Sequence, residues 1–459
     1  MRPNEKFRDY TDAVCEQIRW SRARAAVAEE LEQHLADQRD AYMAQGEDAA
    51  AAAEMAVTQM GDPVAVGAQL DRTHRPRPQL GMLLLVAGII CIGLAIQVFL
   101  LSRTSGFDPQ TLMPIFYTLA GTAVMAAAYF LDMSWIGRFS VWFYLALLFF
   151  MTGNFITRMF IDPFGFFLLG GIVPMLFPLG FAGVVYAAHN RGWRGFMLCA
   201  AAFMLPALML FAMRWRDDCM LLTVSAFVIL CVAMFKGWFN INKRTGWLAI
   251  AAVAAIALAL AALYISQYGY RWDKLLAKLN PSLDPAGEGA WGIQIKTLLA
   301  HSRLWGQGDI PVLPLDEQPW SGWSAPLVFT YLIFDVGWIP FLMFMAVLLV
   351  FMVLGFRLAF KQQSSLAQFV AMAVMTTLAL KVMGYVLANL GITLFSGMSM
   401  PFVPGYGYTD YFINMALTGL MLSAFRTGSL YRDTRFGRQP LFIGRDGKSV
   451  FPSRRKQTG

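Results

Sequence analysis

Long apolar segments alternate with short polar loops along most of the chain, from residue 80 to residue 427. Each segment is close to the ~20 residues that an α-helix needs to cross the hydrocarbon core of a bilayer. The pattern therefore predicts an all-α fold, a polytopic membrane bundle of about ten transmembrane helices. The predicted spans are 80–101, 111–131, 136–155, 163–188, 196–215, 219–239, 245–268, 338–358, 365–388 and 410–427.

The first 76 residues are polar and precede the first apolar segment, which predicts a separate cytosolic helical domain at 1–76. Apolar side chains recur at helical spacing over 21–45, with Ser21 as a candidate N-cap. A second helix is predicted at 49–60, because the Gly-Asp-Pro sequence at 61–63 breaks helices, and a short third helix follows. No cleavable signal peptide is expected, since the first span is internal.

The composition supports a membrane protein. Of the 459 residues, 57% are hydrophobic and 14% are charged, whereas soluble domains are about 25% charged. The net charge of +8 does not indicate nucleic acid binding, because the basic side chains concentrate in short loops near 191, 243 and 357 and in the tail 431–459. By the positive-inside rule these loops and both termini are expected in the cytoplasm, in a multi-pass protein of the plasma membrane.

The five cysteines and four histidines are scattered, without a Cys-x-x-Cys pair. Most of the cysteines lie in apolar spans, where a thiol packs as a small hydrophobic group. A disulfide framework or a metal site is therefore not expected. No cofactor is predicted on these grounds.

Two polar segments on the side opposite the basic loops interrupt the regular pattern. The first, 269–337, is rich in Pro, Gly and Trp, and the second, 391–409, is rich in Gly, Pro and Tyr. Loops of this length are usually functional or disordered. Their mixture of apolar and polar residues favours ordered segments folded on the bundle, so we predict the functional site there.

These outer segments carry stretches that match known signatures. Asn-Pro-Ser-Leu-Asp-Pro-Ala-Gly-Glu-Gly at 280–289 follows Tyr270-Arg271 and resembles "YR … NPWADPxGxGYQ", and the likeness continues without a gap to 304–308. Ser-Gly-Met-Ser-Met-Pro-Phe at 396–402 resembles "TGIPLPF". Both signatures belong to the FtsW/RodA/SpoVE family, the SEDS proteins, whose architecture is ten spans with the large loop after the seventh. The SEDS-like transmembrane domain is thus expected at 77–430.

This resemblance implies a glycosyltransferase that polymerises lipid II, or a related undecaprenyl-linked precursor, into peptidoglycan for division, cell shape or sporulation. Such an enzyme usually works with a transpeptidase partner. In the reaction the 4-hydroxyl of one sugar attacks an anomeric carbon that bears a lipid diphosphate. A carboxylate can accept the proton of that hydroxyl, and a divalent cation or an Arg or Lys group can neutralise the diphosphate. Residues 1–76 are similar instead to a helical prefix of some permease-type membrane proteins, which suggests cytosolic contact or regulation.

Six residues are candidates for contact with the substrate. Asp284 and Gln294 lie in the gapless match, although an aspartate before proline is also a good turn-former. Lys381 lies well inside the ninth predicted span, where a charge is costly and is usually functional or paired. The other candidates are Arg303 in the large outer segment, and Arg216 and Asp217 at the outer end of the fifth span. For the last two, the alternative is an interfacial position with a local ion pair.

The chain departs from the family at the position of its proposed catalytic aspartate. Aligning back from Asp335 places Pro326 there, and proline cannot act as a base. Asp316 and Glu317 just upstream are the tentative catalytic substitutes, and the alternative is that both are solvated loop acids. The functional alternatives are therefore an inactive SEDS-fold protein that binds the lipid precursor as a scaffold or regulator, and, less favoured, a transporter.

Overall fold

The computed structural model describes residues 3–74, 78–105, 109–131, 133–161, 171–213, 216–266, 269–310, 327–395, 397–404 and 408–428. Within these ranges the regular secondary structure is helical, with no strand. The described residues form two compact units, one within Met1–Pro78 and one within Gln79–Gly428. The all-α class predicted from the apolar pattern is confirmed.

Four helices form the N-terminal unit: α1 (Pro3–Glu16), α2 (Ser21–Met43), α3 (Ala49–Met60) and α4 (Pro63–His74). Each helix contributes apolar side chains to a common core, because apolar residues recur on one face of each at helical spacing. The core includes Phe7, Val14, Ile18, Val27, Leu31, Leu35, Ala53 and Leu70.

The helix bounds of this unit differ in part from the sequence-based expectation. Helix α1 was not expected, because its apolar residues are widely spaced among charged ones. Ser21 is the first residue of α2 and not its N-cap, a position occupied by Trp20 without a side-chain capping bond. Helix α3 begins as expected, since the Asp48 carboxylate accepts a hydrogen bond from the backbone N–H of Ala50.

The second unit contains the apolar helices. They are α5 (Leu80–Ser105), α6 (Pro109–Phe130), α7 (Ser134–Arg138), α8 (Ser140–Ile156), α9 (Ile172–Ala187), α10 (Gly192–Ala212), α11 (Arg216–Phe235), α12 (Lys243–Ser266), α13 (Gly269–Leu279), α14 (Ala290–Ala300), α15 (Val328–Asp335), α16 (Trp338–Phe360), α17 (Ser365–Asn389) and α18 (Tyr408–Thr427). Within the described ranges, eight helices are long and apolar enough to cross a membrane. The chain is a multi-pass membrane protein.

Two of the ten predicted spans differ from these eight. Helix α9 is apolar, but it has 16 residues, and 163–170, the first part of the span predicted at 163–188, lie outside the described residues. Helix α18 has 20 residues and carries Asp410, Asn414 and Thr418 among its apolar residues. Both lie where a span was predicted, and both pack on helices that belong to these eight.

Helix α17 is the central helix of the membrane unit. It packs against α9, α11, α16 and α18. Its buried polar side chains include Gln368, Thr376, Thr377, Lys381 and Asn389. Polar groups inside a membrane bundle face other helices and not lipid, so α17 brings these groups to the centre of the fold.

Small residues allow α6 and α18 to pack closely. A Cβ atom at Gly121 would collide with the ring of Tyr411, and a Cβ atom at Gly419 would collide with the carbonyl oxygen of Met125. Glycines at such contacts let two membrane helices approach with their backbones near each other. This packing fixes the position of α18, which carries part of the candidate site.

The outer segment is held against the start of α16 by its backbone. Residues 303–308 and 334–339 are joined by four hydrogen bonds between backbone groups. Gly337 lies at the turn with a φ of 114°, a conformation that favours glycine, and a Cβ atom there would meet the backbone of Leu304. The segment is therefore an ordered part of the fold over its described residues.

Candidate functional site

Lys381 lies past the middle of α17 in the interior of the membrane unit, with 1% of its side chain exposed. Its ammonium group donates a hydrogen bond to Asn414 Oδ1 at 3.2 Å and lies 3.5 Å from Met175 Sδ. It also forms an ion pair with Asp410, with Nζ 3.8 Å from Oδ2. The buried charge is thus paired, as the cost of an isolated charge inside a membrane requires.

Asp410 connects this buried lysine to the second outer segment. Its Oδ2 atom accepts a hydrogen bond from Ser399 Oγ at 3.0 Å, and 26% of its side chain is exposed. Ser399 lies in the stretch 397–404 that follows α17. Asp410 is therefore reachable from outside the bundle, whereas Lys381 is not.

Two further carboxylates lie at the first turn of α11. The carboxylate of Asp217 lies against Gly397, where a Cβ atom would collide with it. Asp218 is within electrostatic range of Lys381, Asp410 and Asp217. Negative side chains are favoured at this end of a helix because the unpaired N–H groups there carry partial positive charge.

These residues form one polar cluster, defined as Asp217, Asp218, Lys381, Ser399, Asp410 and Asn414. It contains three carboxylates and one ammonium group. This excess of negative charge suits the cluster to accept a proton, and it disfavours binding of an anion such as a diphosphate by the cluster alone. Asn414 is fully buried, and its Nδ2 atom has no hydrogen-bond partner among the described residues. The described residues include no set of three or more His, Cys, Asp or Glu arranged for a metal ion. The lysine among the carboxylates does not fit a resident cation.

Asn389, at the last turn of α17, anchors the outer segment to the bundle. Its Oδ1 atom accepts hydrogen bonds from the backbone N–H groups of Phe329 and Thr330, both at 3.0 Å. Thr330 Oγ1 donates to the backbone oxygen of Asn389 at 3.0 Å, and Asn389 Nδ2 donates to the backbone oxygen of Tyr385 at 2.9 Å. Asn389 thereby satisfies the second and third amides of α15, the helix that follows Pro326 in the chain.

The large outer segment has its own electrostatic contacts. Asp284 accepts hydrogen bonds from the backbone N–H groups of Gly287 at 3.1 Å and Glu288 at 2.9 Å, which are the contacts of a turn-forming aspartate. Glu288 in turn pairs with Lys274 at 2.9 Å and Lys278 at 3.5 Å. The hydrogen bond from Lys274 is the main reason that the pKa of Glu288 is lowered.

The structure brings together only some of the residues named from sequence. Lys381 and Asp217 both lie in the polar cluster. Asp284, the half-buried Gln294 and the exposed Arg303 lie in the large outer segment, and their contact with a substrate stays a prediction. The first residue of α11 is Arg216, whose side chain lies outside the described residues, as do Asp316, Glu317 and Pro326.

Sequence reasoning missed four members of the cluster: Asp218, Ser399, Asp410 and Asn414. Asp410 starts a predicted span, and that position is typical of interfacial charges, so the position alone did not indicate that the side chain turns inward. Asn414 lies four residues later and on the same helical face. That spacing was the one signal available.

Comparison with known proteins identifies the fold. The family model of the FtsW/RodA/SpoVE cell cycle proteins matches residues 78–429. The chain belongs to this family. The match covers the whole membrane unit and the polar cluster, and it confirms the resemblance seen in the outer segments.

Individual relatives of the family are distant. The "Probable peptidoglycan glycosyltransferase FtsW" of Borreliella burgdorferi is 22% identical over 221 residues, which are 48% of this chain and 59% of that relative. The chain thus spans little more than half of this curated relative. A solved peptidoglycan synthase complex, described for its coordination of polymerisation and crosslinking, contains a chain 18% identical with a TM-score of 0.59, covering 76% of this chain and 98% of that one. A mutant of Thermus thermophilus RodA is 15% identical with a TM-score of 0.50, and the match covers 76% of this chain and 98% of the mutant.

Proposed function

We propose that this protein is a peptidoglycan glycosyltransferase that polymerises lipid II or a related undecaprenyl-linked precursor at the outer face of the plasma membrane. Family membership supports this proposal, because a curated relative has this activity in its name. The observation that carries it in this chain is the polar cluster, in which a partly exposed carboxylate is held by a buried lysine beneath an outer loop.

The chemistry requires a proton acceptor and a place for a departing diphosphate. The 4-hydroxyl oxygen of one precursor forms a bond to the anomeric carbon of another, and the bond from that carbon to the diphosphate oxygen breaks. The hydroxyl proton passes to a carboxylate, and the electron pair leaves with the lipid diphosphate. A positioned base typically contributes about 10²–10⁴-fold to such a step.

Among the described carboxylates, Asp410 is the best placed for this role. One of its oxygens is held by Ser399 and Lys381, which fixes its orientation while part of the side chain stays exposed. Asp316 and Glu317 remain the loop candidates, and Asp284 is the next. Lys381 is proposed as a positioning residue, since its burial keeps it from direct contact with a bulky precursor in this conformation.

A variant series tests this assignment. Purified protein would be incubated with fluorescent lipid II, and glycan chains would be resolved on gels. Asp410→Asn should lower polymer formation by about 10²–10⁴-fold while precursor binding persists. If Asp410→Asn keeps full activity and Asp316→Ala, Glu317→Ala or Asp284→Ala loses it, the base lies in the large outer segment and the cluster assignment is wrong.

The position of Pro326 favours a second candidate function. An inactive member of the family would bind the precursor and serve as a scaffold or regulator of wall synthesis. Binding of lipid II without polymer, in the presence of a transpeptidase, supports this second function.

The remaining proposals concern partners and placement. We propose that the membrane unit, predicted at 77–430, associates with a transpeptidase; this is supported by the fold it shares with a chain of a complex described as coordinating polymerisation and crosslinking. Both termini and the basic tail 431–459 lie in the cytoplasm in this proposal, with 269–337 outside. The N-terminal domain, predicted at 1–76, then contacts cytosolic proteins or regulates the membrane unit. Coexpression and copurification with a transpeptidase tests the partner directly.

A further inference from the structure

The short helix α13 has its apolar face turned away from the protein. Trp272 and Leu279 lie seven residues apart and therefore on one face of the helix, and they are 51% and 47% exposed. Leu283, in the 3-10 turn after the helix, is 59% exposed. A helix on the surface of a soluble protein would bury this face and expose the opposite one.

The opposite face of α13 is the one that is tied to the protein. Lys274 and Lys278, four residues apart on that face, both pair with Glu288. Ala277 between them is buried, and the Lys278 backbone oxygen accepts a hydrogen bond from Thr393 Oγ1 at 3.4 Å. These contacts fix the rotation of the helix about its axis, so Trp272 and Leu279 cannot turn inward while they hold.

The position of α13 along the chain places it at the membrane surface. Helix α12 contains a candidate span, Lys243–Leu263, and ends at Ser266, and α13 begins at Gly269. Three residues reach at most about 10 Å, so α13 starts close to the end of α12, three residues past the end of the candidate span. Trp and Tyr are enriched at this depth of a bilayer, and α13 has Tyr270 and Trp272 in its first turn.

We infer that α13 lies in the lipid headgroup region, with Trp272, Leu279 and Leu283 inserted at the boundary of the acyl chains. The occupant of this apolar face is phospholipid. Amphipathic helices with aromatic and leucine side chains on one face and lysines on the other bind membrane surfaces in this manner. The helix thereby anchors the large outer segment to the bilayer beside the bundle, independently of which reaction the protein performs.

Photo-crosslinking in proteoliposomes tests this inference on the full chain. A benzophenone amino acid would replace Trp272 in one variant and Leu279 in a second. The matched control places it at Asp273, the exposed neighbour on the side of the helix. After irradiation, mass spectrometry would measure the fraction of protein joined to phospholipid. We expect lipid adducts at positions 272 and 279 to exceed those at 273 at least five-fold.

Two results would overturn the inference. Equal adduct yields at 272, 279 and 273 would show that the apolar face has no preferred contact with lipid. Adducts at 272 and 279 with a second copy of the chain or with a co-reconstituted transpeptidase, in place of lipid, would assign the face to a protein interface. Because each variant replaces an exposed side chain, a normal elution profile in detergent is expected for all three, and it confirms that the fold is intact.

Discussion

Replacing Asn389 by alanine should detach the start of α15 from the central helix. The substitution removes the acceptor for two backbone N–H groups, those of Phe329 and Thr330, both buried and both at 3.0 Å. Each buried donor left without a partner costs about 1–3 kcal/mol, so the free energy of unfolding should fall by about 2–6 kcal/mol. A matched control is Asn280→Ala, because Asn280 is exposed and its side chain accepts a hydrogen bond from the hydroxyl of Ser282, which is exposed as well.

Two measurements check this prediction. Equilibrium unfolding in mixed micelles should show the large loss for Asn389→Ala and less than about 1 kcal/mol for Asn280→Ala. Hydrogen exchange should show faster exchange of the amides of residues 328–331 in the first variant alone, since their acceptor is lost. A stability of Asn389→Ala within 1 kcal/mol of the wild type, with unchanged exchange in α15, would refute the reasoning.

Further predictions address charge, pH, topology and the N-terminal unit. Lys381→Met should lower the free energy of unfolding by about 3 kcal/mol, which is the lower end of the range for breaking a buried ion pair. The lower end is expected because Asp410 is partly exposed. Lys381→Arg should lower the free energy of unfolding by less in the same assay. The pKa of Glu288 is lowered in the folded protein, so its ion pairs stabilise the fold fully at pH values above the ordinary glutamate pKa of about 4.3. This stabilisation is lost as the pH falls through the lower pKa of the folded state. The difference in the free energy of unfolding between wild type and Glu288→Gln should therefore vanish in acid. A cysteine at position 450 should resist an impermeant reagent in intact cells, and labelling there would contradict a cytoplasmic C-terminus. A soluble fragment 1–76 should show helical circular dichroism, and its absence would count against an independent domain.

The fold was largely predictable because membrane spans follow from local composition. Long apolar segments specify helices, since no other open structure satisfies its backbone hydrogen bonds in lipid. The exceptions have physical reasons. Helix α18 is more polar than its neighbours because Asp410 and Asn414 belong to the polar cluster. Helix α1 was not predicted because its apolar residues are widely spaced in sequence, although they pack in the core of the N-terminal unit.

The site was less predictable because it is assembled from distant parts of the chain. Lys381 could be singled out, since a charge inside a span needs a partner. The identity of that partner could not, because Asp410 reaches it only through the packing of α17 on α18. The roles of Asn389 and Ser399 likewise depend on tertiary contacts with segments far away in sequence. Asp217 was singled out by its position at the outer end of the fifth predicted span, although that position did not reveal its neighbour Asp218 as part of the same cluster.

The most direct test of the central claim is the formation of glycan polymer by the purified wild-type protein. The protein would be incubated with lipid II, with and without a candidate transpeptidase, while binding of the precursor is measured in parallel. We predict both saturable binding and glycan chains that disappear on digestion with a muramidase. Binding without polymer under every condition would contradict the enzymatic claim and leave the scaffold function, and absence of binding would contradict both.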